Sequence, residues 1–517
     1  MKKKLFKIRL LSFAAFCGLT LAFASCANED VAQNPNNTDN DKNLTTFTAG
    51  DPTTRTSMES DGKFFWEAGD KIWVKDDDGT WQQSSNAPTA KTASFSFKVP
   101  GKFTQSSSYK VYYPGQNGNQ DQVLISANQS QSEPNTTTHF GTSGDCGMAT
   151  ATRITGQSNF NFTLDHKAAY LLLLPRTSNT VLQNCYLTKV EVNSDNDITS
   201  TYTLDPVTGN LTGTGTGKQI VLTTKGSGTY ANGFPLTNST TSAVTNGSYV
   251  VIKPGTHTLK IRYWVKDIVT NIEGTITKIL TSATYDQNKY YNITANLDTR
   301  VYDGDHYYMW DAQEQYWKGF EWTQNLPAGT GQPTLNGNGS SNYAQSNADN
   351  RYYNESYPGY GISNPATHTS CKDLPNVNEM TWYAANGDPR WDTDELWTTM
   401  GHLYKGGMWF KKKANISGYN VNTAVDGIDW RTNGYGNNWP VSNTPPSAAD
   451  AGNYFYLPAL GSYNSGALAS LGSYGKYWSS SGQQWINTGA WYLNFNSGGV
   501  YVDNRGRGFG FRVGVFE

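Results

Sequence analysis

Three acidic side chains, Asp392, Asp394 and Glu395, follow one another closely in the segment RWDTDELW. Paired carboxylates can act as acid and base in glycoside hydrolysis, but the reaction needs a set distance between them, which a linear sequence does not give. Acidic residues also stabilise the first turn of a helix, because they lie near the positive end of its dipole. The segment is therefore predicted to begin a helix, with its acids in a structural role.

Histidine and serine offer no further catalytic pattern. None of the six histidines pairs with another at the HExxH or another zinc-ligand spacing, and no GxSxG segment occurs. Asp303, Asp305 and His306 in YDGDHYY could bind a metal ion, yet a solvated role at a linker explains them more simply. We therefore expect no catalytic residue, no metal site, no cofactor and no enzymatic activity.

The chain has five cysteines. Cys17 and Cys26 lie near the N-terminus, which leaves Cys146, Cys185 and Cys371 for the rest of the protein. An odd number permits at most one disulfide and leaves one free thiol. Cysteine is also among the most frequently buried residues, so we expect all three to be buried as small apolar side chains.

Composition and charge narrow the class of protein. At 517 residues the chain is long enough for several domains, and a net charge of −2 leaves no basic field for nucleic acid. Charged residues make up only 16%, whereas glycine, asparagine, serine, threonine and tyrosine are abundant. Together with strand-like alternation, this composition is typical of an extracellular β protein.

The first residues, MKKKLFKIRLLSFAAFCGLTLAFASCANED, indicate export. A basic head precedes an apolar stretch from Leu10 to about Phe23, which is too short to span a bilayer. The segment ending in Cys26 resembles a bacterial lipobox, although Phe23 stands where the motif usually has Leu. An ordinary secretory signal with a chance cysteine is the alternative.

The lipobox resemblance implies a lipoprotein signal peptide over residues 1–25 and a lipid on Cys26. Residues 26–44 are polar and lack core-forming side chains, so they are predicted to form a disordered tether. The membrane contact is then the N-terminal lipid. We expect a protein anchored in the outer membrane and exposed at the cell surface.

From residue 45 to about 298 the sequence predicts one strand after another. Leu259, Ile261, Tyr263 and Val265 alternate with polar residues in HTLKIRYWVKD, as in a half-buried strand. AAYLLLLP is a continuous apolar run, which favours a central strand buried on both faces. Asp78-Gly79 between two aromatic segments predicts a hairpin turn. The region is divided into two β-sandwich domains, residues 45–155 and 156–298.

Three segments of this region, TRTSMESDGKFFWEAGDKIWV, FTLDHKAAYLLLL and YDQNKYYNITANL, resemble Bacteroidetes fimbrillin-like proteins. The resemblance implies two transthyretin-like sandwiches, a fold of pilus subunits and surface lipoproteins. In members that polymerise, a protease cuts after an Arg before the first strand and opens a groove that accepts a strand. Arg55 is the candidate for such processing; the alternative is that it is a surface residue of the first strand.

The chain changes character near residue 299. Of its 16 tryptophans, twelve follow residue 300. PNVNEMTWYAANG predicts a short helix, with Asn376 as its cap, Glu379 completing a capping box and Gly387 at its end. Strands are predicted again in GGMWFKKK, NYFYLPAL, KYWSSSG and AWYLNF, so residues 299–517 form an α+β domain.

These C-terminal segments, together with LPNVNEMTWYAANGDPRW and GFGFRVGVF, resemble the C-type-lectin-like domain of Bacteroidetes surface proteins. That domain is described under a Fibrobacter paralogous-domain name and is related to the variable proteins of diversity-generating retroelements. In those proteins an apolar scaffold stays constant while surface residues vary and bind ligands. The predicted fold class is therefore mainly β: two transthyretin-like β-sandwich domains followed by an α+β C-type-lectin-like domain.

The resemblance separates scaffold from ligand-binding residues. Alternating apolar positions are predicted as scaffold: Trp478, Leu493, Phe495, Val500, Val502 and Phe511. The intervening polar and aromatic residues are predicted to bind ligand: Gln484, Trp485, Asn487, Tyr492, Asn494, Tyr501, Asp503, Asn504, Arg505 and Arg507. Rigid aromatic rings combined with adaptable amides are favoured in binding surfaces. A fixed, solvated loop surface is the alternative.

The leading prediction is a lipid-anchored surface adhesin or receptor for an unknown protein or glycan, with the C-terminal face as its binding site and a diversified sequence there. A second prediction is a subunit at a fimbrial tip, assembled with other fimbrial subunits by strand exchange. A third is a surface lipoprotein with a fixed carbohydrate-binding platform, in which Trp485 and neighbouring tyrosines stack on sugar rings.

Overall fold

Extended chain dominates the structure, with 42% of the described residues in strands and 8% in helices. The prediction of a mainly β protein is therefore confirmed. No helix in the described part of the chain is long and apolar enough to cross a membrane. The predicted signal peptide, Cys26 and Arg55 lie outside the described residues. This computed structural model describes residues 43–50, 57–58, 64–299, 301–302, 306–327, 329–334, 338–514 and 516–517.

The first twelve strands precede residue 167. They are β1 Leu44–Ala49, β2 Ser57–Met58, β3 Phe64–Phe65, β4 Trp73–Lys75, β5 Trp81–Gln83, β6 Phe95–Pro100, β7 Ser108–Tyr113, β8 Gln122–Ile125, β9 Asn128–Ser130, β10 Gly147–Arg153, β11 Phe160–Phe162 and β12 Asp165–His166, with helix α1 Phe140–Ser143. One sheet has the order β5-β4-β7-β10-β11-β1-β6, and β12 pairs with β10. The predicted hairpin at Asp78-Gly79 is confirmed, since β4 and β5 pair antiparallel around it.

Strand β1 lies inside this sheet, antiparallel to β6 over six residue pairs and parallel to β11 over three. Phe47 and Ala49 are fully buried, and the ring of Phe47 stacks on that of Phe160 with 4.9 Å between centroids. The first strand of the region thus ends at Ala49. It comes before Arg55 in the chain. Arg55 itself lies outside the described residues, so processing there stays a prediction.

Ten strands follow between residues 169 and 296: β13 Ala169–Arg176, β14 Tyr186–Ser194, β15 Ser200–Leu204, β16 Leu211–Thr212, β17 Gln219–Thr223, β18 Phe234–Pro235, β19 Ser248–Ile252, β20 Gly255–Lys266, β21 Glu273–Tyr285 and β22 Tyr290–Asn296, with helix α2 Ala243–Asn246. As predicted, β13 is central, between β19 and β22, and all its residues but the last are buried. The alternation predicted in β20 is also present, because Leu259, Ile261, Tyr263 and Val265 are buried.

Hydrogen bonds link this region to the preceding one. β8 pairs with β15, and β9 pairs with β17. Val123 and Ile125 of β8 belong to the hydrophobic core that contains β13 and β20. The segment with β8 and β9 therefore contributes to sheets built mainly from residues after 156.

The last twelve strands are β23 Tyr307–Tyr308, β24 Asn364–Pro365, β25 Arg390–Thr399, β26 His402–Lys411, β27 Asn437–Trp439, β28 Tyr454–Pro458, β29 Leu460–Asn464, β30 Ala467–Leu471, β31 Gly475–Gly482, β32 Gly489–Asn496, β33 Gly499–Gly506 and β34 Phe511–Arg512, with helices α3 Val377–Asn386 and α4 Trp430–Asn433. Short 3-10 turns occur at Leu182–Asn184, Gly228–Tyr230, Lys413–Asn415 and Ala451–Asn453. The final sheet has the order β23-β34-β31-β32-β33-β27.

Helix α3 begins and ends where the sequence predicts. The Asn376 side chain accepts the backbone N–H of Glu379 at 3.1 Å, and the Glu379 carboxylate accepts that of Asn376 at 2.8 Å. This reciprocal pair is the predicted capping box. Gly387 follows the last helical residue.

The segment with Asp392 and Glu395 is strand β25, so the prediction of a helix start there is wrong. β25 pairs with β21 at Thr275 opposite Glu395, which extends one sheet through β28-β26-β25-β21-β20-β14-β17-β9. Arg262 donates to both Asp392 oxygens at 2.8 and 3.1 Å. Thr277 donates to Glu395 from its backbone at 2.9 Å and from its hydroxyl at 2.6 Å. The acids hold β25 to β20 and β21. Pairing of β25 with β21 and β26 overrides the weak local preference for a helix.

The three cysteines after residue 100 are all free and buried: Cys146, Cys185 and Cys371. This confirms the prediction that they act as small apolar side chains. Cys146 and Cys185 lie in the core around β13, whereas Cys371 lies beside Trp478 and Phe511.

Candidate functional site

The residues predicted as scaffold and as ligand-binding lie on and around the final sheet. Leu493 faces Val502 across β32 and β33, and Phe495 faces Val500. These four side chains point into the core on which α3 packs. The six residues predicted as scaffold are all buried, which confirms that assignment: Trp478, Leu493, Phe495, Val500, Val502 and Phe511.

Three of the ten residues predicted to bind ligand are also buried: Gln484, Tyr492 and Arg507. The Tyr492 ring packs against Phe511 with 4.8 Å between centroids. Gln484 and Arg507 hydrogen-bond to the backbone of neighbouring loops. In this structure they offer no surface to a ligand, which corrects their placement on the predicted face. A buried polar side chain is tolerated where its hydrogen bonds are made. Gln484 meets that condition through the Gly434 carbonyl and the Trp491 indole, whereas Arg507 bonds to loop carbonyls through Nε and Nη1 and leaves Nη2 without a hydrogen-bond partner among the described residues.

The other seven predicted residues keep some exposed surface: Trp485, Asn487, Asn494, Tyr501, Asp503, Asn504 and Arg505. Asn494 lies opposite Tyr501 on the outer face of the sheet, and Asp503 lies opposite Tyr492 on the same face. Asn504 pairs with Trp491, on the side of the sheet that faces the core. The structure therefore brings Asn494, Tyr501 and Asp503 together, with Asn504 turned away from them.

Lys476 extends this outer face, although the sequence reasoning missed it. It lies opposite Asn494 on β31, and Asn438 on β27 lies opposite Tyr501. The Lys476 ammonium donates to the Ser462 hydroxyl at 3.3 Å. Burial, and to a lesser degree Arg505, lower the pKa of Lys476. A row of lysine, amide and phenol side chains thus crosses four strands.

A cluster of exposed aromatic rings lies beside this row. The ring centroid of Trp485 lies 6.3 Å from that of Tyr360, with 25° between the ring planes. It lies 5.4 Å from the ring centroid of Tyr435, with 50° between the planes. Tyr360 is 76% exposed and Tyr435 is 63% exposed. We call Tyr360, Tyr435 and Trp485 the aromatic platform. Two exposed tyrosines thus lie on either side of a half-buried tryptophan.

Gln484 joins the two loops that carry the tyrosines. Its side-chain amide donates to the Gly434 carbonyl at 3.2 Å, next to Tyr435. Its backbone carbonyl accepts the N–H of Gly361 at 2.9 Å, next to Tyr360. Trp491 donates its indole N–H to the Gln484 side chain at 3.2 Å. One buried residue thus sets the positions of all three rings, since it also precedes Trp485 in the chain.

Asp311 and Arg507 hold the ends of the Tyr360 loop. The Asp311 carboxylate accepts the Asn354 amide at 2.6 Å and the backbone N–H of His368 at 2.7 Å. Arg507 donates to the carbonyls of Asn354 at 2.6 Å and Ser356 at 2.9 Å. Burial lowers the pKa of Arg507 to about 10, so the guanidinium stays charged at neutral pH. The loop is therefore closed by charge-assisted hydrogen bonds.

Sequence reasoning missed both platform tyrosines and Asp311. Tyr360 and Tyr435 each stand in a Gly-Tyr-Gly tripeptide, PGYGIS and NGYGNN. Gly361 has φ of +72°, a conformation that a residue with a side chain rarely adopts. A side chain at Gly436 would lie 2.9 Å from the Asp503 carboxylate. The repeated tripeptide was the available signal for a tyrosine presented on a tight loop.

Asp392 and Glu395, which were considered for catalysis, are both buried. Within the described ranges no three His, Cys, Asp or Glu side chains lie together as metal ligands. Asp303 and Asp305 are outside those ranges. Burial raises the pKa of the Cys371 thiol to about 12, so the thiol is protonated at neutral pH. The chemistry that the exposed residues offer is contact through rings, amides and hydroxyls.

Comparison with known proteins gives partial similarities in structure. A candidate cell adhesion protein from Bacteroides ovatus shares 16% identity at a TM-score of 0.28, covering 45% of this chain and 84% of its own. A fimbrial protein from the same organism shares 11% identity at a TM-score of 0.25, covering 91% of this chain and 99% of its own. The fimbrial anchor protein Mfa2 of Porphyromonas gingivalis shares 9% identity at a TM-score of 0.22, covering 46% and 83%.

These structural neighbours are thus cell adhesion and fimbrial proteins of Bacteroidetes, at low identity and with partial superposition. No protein-family model matches the sequence, and no curated protein matches it.

Proposed function

We propose that this protein is a cell-surface adhesin that binds an external ligand through its C-terminal face and has no catalytic role. One observation carries the proposal: two exposed tyrosine rings and the half-buried ring of Trp485 are held in place by buried side chains at the edge of the final sheet. Fully burying a large apolar side chain against a partner is worth roughly 2 kcal/mol. Loops that are already fixed increase the affinity further, because little conformational freedom is lost on binding.

The N-terminal segment supports a surface location for this function. Its lipobox-like end at Cys26 implies a lipid anchor in the outer membrane. The polar tether after Cys26 increases the distance from the membrane at which the folded part can bind. The C-terminal resemblance to retroelement variable proteins supports a diversified form of the face. In that form the codons of exposed residues vary, while those of Gln484 and Arg507 stay fixed because both residues hold loops.

Adhesion can be tested with beads that carry the chain through its N-terminal segment. We expect wild-type beads to stay on layers of epithelial or bacterial cells under flow, and Trp485→Ala beads to detach. Tyr435→Ala should weaken adhesion as well, whereas Tyr290→Ala, an exposed tyrosine on β22, is the matched control. Wild-type beads that bind neither layer better than bare beads would overturn the function. If Trp485→Ala beads adhere as strongly as wild-type beads, the assignment of the binding site to the aromatic platform is overturned.

A second candidate function, assembly into a fimbria, rests on the position of β1. This strand fills a slot between β6 and β11 and precedes Arg55, so a cut after Arg55 would leave it held without a covalent link. A neighbouring subunit could then supply a replacement strand. The test replaces residues around Arg55 with a specific protease site. If the cleaved protein forms polymers, and an excess of a peptide of residues 43–50 prevents their formation, assembly by strand exchange is supported. If the cleaved protein stays monomeric at high concentration, assembly is refuted.

A further inference from the structure

We infer that the aromatic platform binds uncharged glycan chains, an inference that rests on the proposed function and names its ligand class. Tyr360 and Tyr435 are largely exposed, and each ring lies close to the ring of Trp485, the first at 25° between the ring planes and the second at 50°. The platform therefore offers two exposed tyrosine rings grouped around one tryptophan. A sugar ring carries C–H bonds on its faces and hydroxyls on its rim, so it can stack on such a surface while its hydroxyls stay hydrated or bonded.

Charge is what selects among ligand classes here. The three segments that form and flank the platform, residues 356–366, 432–449 and 477–502, contain no Lys, Arg, Asp or Glu. Binding of single-stranded nucleic acid requires a positively charged groove beside the stacking rings. An anionic polysaccharide requires cations for the same reason. These segments supply no cation to the rings, and the charged side chains on the adjoining strands are of both signs, Lys476 and Arg505 together with Asp503. The platform therefore favours an uncharged ligand.

The rim of the platform supplies the polar groups that hydroxyls need. Asn437 and Asn438 are exposed next to Tyr435, and Asn487 and Thr488 are exposed next to Trp485. An amide side chain has two donors and an acceptor, so it can pair with a hydroxyl in either sense. Aromatic faces with a few convergent uncharged groups are the combination that fixes a sugar's orientation.

A peptide ligand fits these observations less well. Protein interfaces concentrate their binding energy in side chains that enter desolvated pockets. The platform instead presents rings that are 76% and 63% exposed, without a charged residue in its three segments to orient a partner. Peptide binding is therefore the outcome against which the glycan is tested.

The experiment is affinity electrophoresis of the full mature chain through gels that contain a neutral polysaccharide: an α-glucan, a β-glucan, a mannan, a galactan or a xylan. We expect retardation by at least one of them, and none by heparin. Trp485→Ala should weaken that binding about tenfold and Tyr435→Ala about threefold, as expected for lost stacking. Trp485→Phe should restore most of it, and Tyr290→Ala should behave as wild type. Thermal unfolding of each variant checks that it is folded.

Failure of the inference is distinct from failure of the proposed function. If no neutral polysaccharide retards the chain, or if Trp485→Ala is retarded as strongly as wild type, the glycan inference is overturned. If wild-type beads still adhere to cells whose surface glycans have been removed enzymatically, and Trp485→Ala beads do not, adhesion stands and the platform binds a peptide.

Discussion

Replacing Glu395 by Gln should change how stability depends on pH, because this carboxyl lies buried where β21 meets β25. Burial, and then the nearby Asp392 carboxylate, raise the pKa of Glu395 to about 7. Arg262 and the hydroxyl of Thr277 offset part of that effect. Lys260 lines the same cavity as Arg262, Thr277 and Asp392, and its own pKa is lowered, chiefly by burial. Glutamine keeps the shape of the protonated acid and removes its titration.

The direction of the change in stability with pH follows from the number of protons bound in each state. Between pH 4.5, the ordinary pKa of Glu, and about pH 7, folded Glu395 binds more protons than unfolded Glu395. Its contribution to stability is therefore complete below pH 4.5 and is lost as pH rises through 7. At about 1.4 kcal/mol for each pH unit of this window, the loss amounts to roughly 3 kcal/mol. The Glu395→Gln variant should not lose this free energy, so it should be more stable than wild type above pH 7.

Urea unfolding at several pH values between 4.5 and 8 measures this directly. The free energy of unfolding of Glu395→Gln minus that of wild type should rise by roughly 3 kcal/mol across the range. Glu133→Gln is the matched control, since Glu133 is exposed and the same charge is removed. A difference that stays constant with pH would show that Glu395 does not titrate with a raised pKa. The expected effect of its burial between β21 and β25 would then be refuted.

Three further outcomes are expected. Arg507→Met should lower the free energy of unfolding by about 3 kcal/mol in urea, because the loop carbonyls lose their donor; an unchanged value contradicts the anchoring role. Cys371 should not react with a thiol reagent at pH 8 until the chain is unfolded, since burial raises its pKa to about 12; rapid reaction of the folded protein contradicts this. Deep sequencing of the gene across a bacterial population should find substitutions at Trp485 and Asn487 but not at Gln484, and a uniform distribution counts against diversification.

The features that the sequence predicted well are those set by neighbours in the chain. The alternation in β20 and the continuous apolar run of β13 specify which faces are buried. The capping box of α3 depends on residues three positions apart, Asn376 and Glu379. In each case the decisive contacts lie within one element, so a pattern along the sequence records them.

The features that it could not predict depend on distant partners. Gln484 and Arg507 lie between the predicted scaffold positions and have side chains favoured in binding surfaces, which predicts ligand contact. In the structure, loops far away in the sequence supply carbonyls to both, and both are buried. Tyr360 and Tyr435 join Trp485 only through folding of three separate loops. Asp392 and Glu395 likewise have a strand conformation because β21 pairs beside them.

The position of β1 has a mechanical consequence. It is the first strand in the described part of the chain. In the proposed adhesin, anchored through Cys26, a load between the anchor and a bound ligand would enter the fold through it. Tension along a strand held by neighbours on both sides shears its hydrogen bonds together instead of opening them one by one. The six residue pairs with β6 and three with β11 would then share the load. Under flow, β1 would act as a clamp whose rupture force limits how long an attached cell stays in place.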